Sequence, residues 1–180
     1  MRRLPALIAV LALAAAGAAP AFAQAPAQTP PPAAAPAAPK GVTVAETRAW
    51  LAALGGAVGE PEAAQNAQIL RVADQPLPWN VTFYACANLC DDLQYGATFT
   101  GPITEAQVTA WNRDHRYLKA IWLAPETAGG EAAVLARYDL LLTGVGTDQL
   151  QEPTFIWLQQ LRTFAQYLAG PAAPAAAPAQ

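Results

Sequence analysis

The sequence contains no serine, one histidine, one methionine and two cysteines among its 180 residues. Without serine, every mechanism that begins with a serine nucleophile is excluded. With His115 as the sole imidazole, a His/Cys zinc site would have to recruit Cys86, Cys90, His115 and a carboxylate, at spacings that match no structural or catalytic zinc pattern. Glycine-rich phosphate loops are missing as well: "GVG" at 144–146 lacks the further glycines of the nucleotide-binding fingerprints. Lysine occurs only at Lys40 and Lys119, and no Lys/Arg cluster exists. Phosphate neutralisation supplies most non-specific nucleic-acid affinity, so no nucleic-acid partner is expected. The expectation from these absences is a non-enzyme with no cofactor and no metal.

What is present begins with "MRRLPALIAVLALAAAGAAPAFAQ". Arg2 and Arg3 precede an apolar stretch, and Ala21, Phe22 and Ala23 form the small-x-small pattern of a signal-peptidase site. Residues 1–23 are therefore expected to be a signal peptide cut before Gln24, with a retained N-terminal anchor as the competing reading. Residues 24–40 and 170–180 are Pro/Ala tracts without a periodic apolar face, expected to be a disordered linker and a disordered tail. The expected location is periplasmic or secreted, with no membrane insertion after cleavage. Losing Arg2 and Arg3 from ten basic residues leaves eight against thirteen acidic ones, a formal charge of about −5. Residues 41–169 suffice for one domain with one core.

Along that domain the period of the apolar positions changes repeatedly. Thr43 with Glu46 makes a capping box ahead of a helical stripe of Val44, Thr47, Trp50, Leu51 and Leu54, and Gly55–Gly56 suits the exit. Between 68 and 99 the period is two. "QILRVA", "WNVTFYAC" and "DLQYGATF" read as three strands, with Val81, Phe83 and Ala85 sharing one face and Leu93, Tyr95, Ala97 and Phe99 another. Thr104 and Gln107 form a second capping box before a short helix through Val108 and Trp111. "RYLKAIWLA" and "AAVLARYDLLL" read as two more strands joined at Gly129–Gly130. A last helix places Phe155, Leu158, Leu161, Phe164 or Ala165, and Leu168 on one face, with Pro153 in its first turn and Gly170 after its end. The order α-β-β-β-α-β-β-α implies an α+β fold with helices packed on an antiparallel sheet.

Few side chains invite a chemical reading. His115 falls at the end of the second helix, where an imidazolium complements the dipole. Asp91 and Asp92 are adjacent and so point to opposite faces of a strand, the pattern of a solvated turn. Trp50, Trp111 and Trp157 fall on or beside helical stripes and are expected in the core, whereas Trp79 and Trp122 sit on strands, one of them available to a partner surface. Cys86 and Cys90 flank the three residues "ANL" between two strands, which brings them within the Cα separation a disulfide accepts. Export favours that bridge. The alternative is a redox pair, although its spacing is one residue longer than C-x-x-C and no helix follows.

One string is more specific. Trp111-Asn112, Arg116-Tyr117 and Lys119-Ala120, followed by Asp139 in "RYDLLLTGVG" with Gly144-Val145, resembles the YbjN family, as do the cysteine pair before it and the element order. The resemblance spans most of residues 42–168. It implies a type III secretion chaperone-like fold, a sensory or regulatory role, an unknown protein partner and, by analogy with chaperones of that fold, a homodimer. It carries over no catalytic site. Within the motif, Asn112 is expected to cap the turn after the second helix, and Arg116 with Lys119 to pair with Asp139. The leading expectation is an exported, non-enzymatic protein-binding or chaperone-like module. The alternatives are a periplasmic thiol-disulfide protein using Cys86 and Cys90, and a small-ligand sensor with an aromatic pocket.

Overall fold

A computed structural model describes residues 38–73, 77–84 and 86–170. The expected signal peptide, nearly all of the linker, the tail beyond Gly170, and Ala85 lie outside the described residues. Three helices and six strands follow in the order α1 (Val44–Ala53), β1 (Glu62–Ala64), β2 (Ala67–Val72), β3 (Trp79–Tyr84), β4 (Asp92–Gly101), α2 (Glu105–Asp114), β5 (Lys119–Leu123), β6 (Ala132–Leu141) and α3 (Gln151–Ala169). A short 3-10 turn, Thr147–Leu150, leads into α3. The fold is α+β, as the element order implied.

All six strands form one antiparallel sheet in the order β1-β2-β3-β4-β6-β5. Strand β5 reaches the outer edge because α2 carries the chain over the sheet before β6 returns beside β4. Sequence periodicity had missed β1. Its three residues are too short to show alternation, and it becomes a strand by pairing with β2 and through the Arg71–Glu62 ion pair, 2.8 Å long.

Successive side chains on a strand take opposite faces, and registered partners share a face. Leu70, Val72, Trp79, Val81, Phe83, Leu93, Tyr95, Val134 and Leu140 therefore turn to one side, where all are buried with the helical Leu51, Trp111, Trp157, Leu161 and Phe164. Aromatic rings join the layers. Phe99 meets Phe164 edge-on at 5.3 Å, and Trp79, Tyr95 and Trp157 lie within 6.2 Å of one another. Tyr95 hydroxyl and Thr154 Oγ1 are 2.7 Å apart inside this cluster. Burial raises the Tyr95 phenol well above its ordinary value, and the Thr154 contact offsets this only in part.

The helix starts are built as their sequences prescribe. Thr104 accepts from the Gln107 N–H while the Gln107 side chain takes the Thr104 N–H, a complete capping box. At α1 the box is half-formed: Thr43 accepts from the Glu46 N–H, but its own hydroxyl donates to the Glu46 carboxylate. Two apolar expectations fail. In α3 the buried stripe is Thr154, Trp157, Leu161 and Phe164, which turns Phe155 out to 68% exposure; the Tyr95 hydroxyl selects Thr154 for the inner face. Leu54 is the C-cap of α1 and leaves the stripe with the helix end. Trp79 is buried and Trp122 half-buried, its Nε1 donating to the Ile103 carbonyl, so neither strand tryptophan is a free surface ring.

Candidate functional site

The string from Trp111 to Ala120 folds into a corner where α2 meets β5. Trp111 Nε1 donates to the Leu118 carbonyl at 3.1 Å. The Asn112 carboxamide does two things at once: Nδ2 donates to the Ala120 carbonyl at 2.8 Å and Oδ1 accepts from the Ala120 N–H at 2.9 Å. Ala120 lies on the outermost strand, so Asn112 acts as a surrogate neighbouring strand for one residue. Lys119 Nζ turns back to the Asn112 and His115 carbonyls at 2.8 and 2.5 Å and neutralises the C-terminal end of α2. His115 is the C-cap residue, with its ring stacked on Trp111 at 3.5 Å.

Two expectations are corrected here. Asn112 clamps a strand edge and does not cap a turn. Arg116 and Lys119 do not reach Asp139: Arg116 lies over the Tyr117 ring, Lys119 is committed to helix carbonyls, and Asp139 accepts from Gln94 Nε2 at 2.6 Å. Tyr117 takes a left-handed backbone conformation, φ 53°, and sets its ring against Tyr138.

A second corner gathers the cysteines, the start of the domain and Gly144. Cys86 and Cys90 form a disulfide, with Cα atoms 4.3 Å apart. The backbone of Cys90 pairs with Val42, donating at 2.8 Å and accepting at 3.0 Å, so the bridged loop is fixed to the entering chain. Gly41 N–H donates to the Gly144 carbonyl at 2.6 Å, and Gly146 N–H returns a bond to Gly41 at 3.0 Å. Gln149 repeats the Asn112 device, bonding the Gly144 N–H at 3.2 Å and its carbonyl at 2.8 Å. Lys40 pairs with Asp91 at 2.7 Å and lowers its carboxyl below the usual range. This packing explains Gly41: its φ is +110°, and a Cβ there would collide with the Cys90 carbonyl.

The third feature is the sheet face away from the helices. Toward β5 it is apolar, with Ile121 and Leu123 43% and 42% exposed beside half-buried Leu135. Toward β2 it is polar, and a cavity of about 390 Å³ opens over Asn80, Thr82, Tyr84, Gln94, Gly96 and Arg137. Tyr84 hydroxyl donates to Gln94 Oε1 at 3.4 Å, which links to Asp139 through the Gln94 amide. Of these residues only Asp139 stands out in the sequence, as part of the "RYDLLLTGVG" string. Their signal was the polar half of the same alternation that identified the core.

The YbjN family model, described as "Putative bacterial sensory transduction regulator", matches residues 44–169. The chain belongs to the YbjN family. That match takes in both the Asn112 corner and the disulfide. The crystal structure of YbjN from E. coli, described as "a putative transcription regulator", is similar at 14% identity and a TM-score of 0.45, covering 70% of this chain and 88% of that one. Among curated proteins, none matches the sequence. As a YbjN-family chain, the protein carries the family's broad association with regulation. Of the motif residues, Trp111, Asn112, Lys119 and Gly144 hold backbone in place, whereas Asp139 faces the open side of the sheet.

Proposed function

We propose that this chain is an exported, non-enzymatic protein-binding module with a sensory or regulatory role, which holds its partner against the β5–β6 half of the uncovered sheet face. The observation that carries the reading is the strip of Ile121, Leu123 and Leu135, apolar side chains left open on an ordered sheet. Strand addition at β5 fits less well, because Trp111 and Asn112 already occupy the outward groups of Leu118 and Ala120. Lys119, held by the α2 carbonyls, and Arg137 stand opposite one another in the adjoining row, so the strip suits a partner that sets a carboxylate for Arg137 beside apolar side chains. A second copy paired about a two-fold through the strip would bring these like charges together. Export is supported by the composition of residues 1–23 and by a disulfide, which persists outside the reducing cytosol.

The thiol-disulfide alternative is disfavoured by Cys90, which is 2% exposed and carries a backbone bonded on both sides to Val42. The test is crosslinking in intact cells with a photoreactive residue at Ile121, and at Phe155 on α3 as the control. The expected result is a discrete heteromeric adduct from position 121 alone. Equal labelling from both positions, no adduct at 121, or an adduct of two copies of this chain would each overturn the assignment.

A further inference from the structure

The cavity on the uncovered sheet face, lined by polar side chains together with Ile69 and Leu135, has the makings of a ligand site. Its floor is Gly96, in the middle of β4, registered with Asn80 on one side and Arg137 on the other. No side chain rises from that position. The Asn80 carboxamide lies across it instead: a Cβ built at Gly96 would sit 3.1 Å from Oδ1 and 3.2 Å from Nδ2. Asn80 Nδ2 donates to Thr82 Oγ1 at 3.1 Å, which leaves Oδ1 as an acceptor without a partner among the described residues. Across two strand spacings, roughly 10 Å of backbone separation, stands the half-buried residue Arg137, whose guanidinium makes no ion pair or hydrogen bond among the described residues.

The surrounding charges explain why that guanidinium is free. Asp139, two residues along β6 on the same face, is held by Gln94 at 2.6 Å. Glu62 is held by Arg71 through two contacts of 2.8 and 3.0 Å, which keep its carboxyl below the usual range. A cationic fork and an amide acceptor thus face each other over a bare glycine, in a cavity of about 390 Å³.

We propose that this cavity binds a small α-amido carboxylate, the carboxylate taken by Arg137 and the amide N–H donated to Asn80 Oδ1. A guanidinium matches a planar carboxylate with two parallel bonds. A phosphate fits less well, because among the described residues Arg137 is the only cation lining the cavity and no helix N-terminus lines it. The volume lies within the range of small-molecule sites and takes a residue-sized ligand. The same chemistry occurs in a free N-acyl amino acid and in the C-terminal residue of a peptide. The site shares Arg137 with the partner surface argued above, whereas Asn80 and Gly96 belong to the cavity alone.

The experiment is calorimetry and amide chemical-shift titration of the full chain with N-acetylglycine, against acetate, which lacks the N–H, and N-acetylglycine methylamide, which lacks the carboxylate. Saturable binding is expected, with shifts at Gly96 and Asn80, at least tenfold weaker for acetate and lost for the methylamide. Arg137→Gln should lose at least tenfold in affinity with its spectrum otherwise intact, since the guanidinium supports no contact of the fold. Asn80→Ala should reduce binding of N-acetylglycine to the level of acetate. Tetraglycine serves as the peptide arm: tighter binding than N-acetylglycine assigns the site to a chain terminus, and equal binding assigns it to a free metabolite, both supporting the cavity. No saturable shift at about 10 mM, or unchanged affinity in Arg137→Gln, would overturn the proposal.

Discussion

Asn112 on α2 holds both backbone groups of Ala120 on β5, donating to the carbonyl at 2.8 Å and accepting from the N–H at 2.9 Å. Substituting Asn112 by Ala leaves two part-buried backbone groups unmatched, which costs about 1–3 kcal/mol. It also uncovers a sheet edge, and open edges pair with other chains. The expected outcome is a lower urea midpoint together with concentration-dependent association in sedimentation velocity. Asn112→Asp keeps the acceptor but loses the donor and should fall between the two. An alanine variant as stable and as monodisperse as the parent would refute the clamp.

Gly41 tests the other corner. Alanine there meets both an unfavourable φ of +110° and the Cys90 carbonyl, so the entering chain must detach from Cys90 and Gly144. The loss should be on the order of 3 kcal/mol. Hydrogen exchange should report it at Val42 and Cys90, whose amides bond across this junction, well before the sheet centre opens.

Reduction of Cys86–Cys90 removes a short loop constraint. The chain-entropy model gives about 2 kcal/mol for a loop this small. Because Cys90 is 2% exposed and paired to Val42, the folded protein should resist mild reductant at neutral pH and yield its thiols only after denaturant is added. Thiol labelling with and without urea distinguishes this from a redox-active pair, which would react in the folded state.

Tyr95 sets an alkaline limit. Its folded pKa is raised above the ordinary value of 10.0 by burial, so the native state keeps a proton that the unfolded chain gives up. A raised folded pKa means that the contribution is complete below the unfolded value and falls as pH rises past it, by up to about 1.4 kcal/mol per pH unit. Urea midpoints measured between about pH 9 and 11.5 should decline more steeply for the parent than for Tyr95→Phe. The variant should be less stable at neutral pH, because it loses the 2.7 Å contact to Thr154. Parallel slopes would show that another group governs alkaline unfolding.

Local chemistry was legible wherever a residue acts within a few positions of itself. The Thr104–Gln107 box, the period-two strands, the helix order and the pairing of Cys86 with Cys90 all follow from short-range geometry and alternation. So did the α+β class, because strands in meanders between helices leave few ways to cover one apolar face. The motif from Trp111 to Ala120 was visible as a string, but its work was not. Whether Lys119 reaches Asp139 or a helix end depends on how α2 crosses β5, and only the packed corner fixes that.

By itself, then, the sequence determined the elements other than β1, the buried face of the strands it showed and the bridge between the cysteines, since these depend on side-chain period and on neighbours in the chain. Tertiary structure alone decided what lies opposite Gly96, that Arg137 is left without an ion pair among the described residues, and how the β5 edge is closed. Each of those depends on strand register, which brings together residues as far apart as Asn80 and Arg137. Alternation says which face a side chain takes but not which partner it meets there. The Cys86–Cys90 pair belongs to the first kind as a disulfide and to the second as an anchor, because Val42 meets Cys90 only once the sheet has formed.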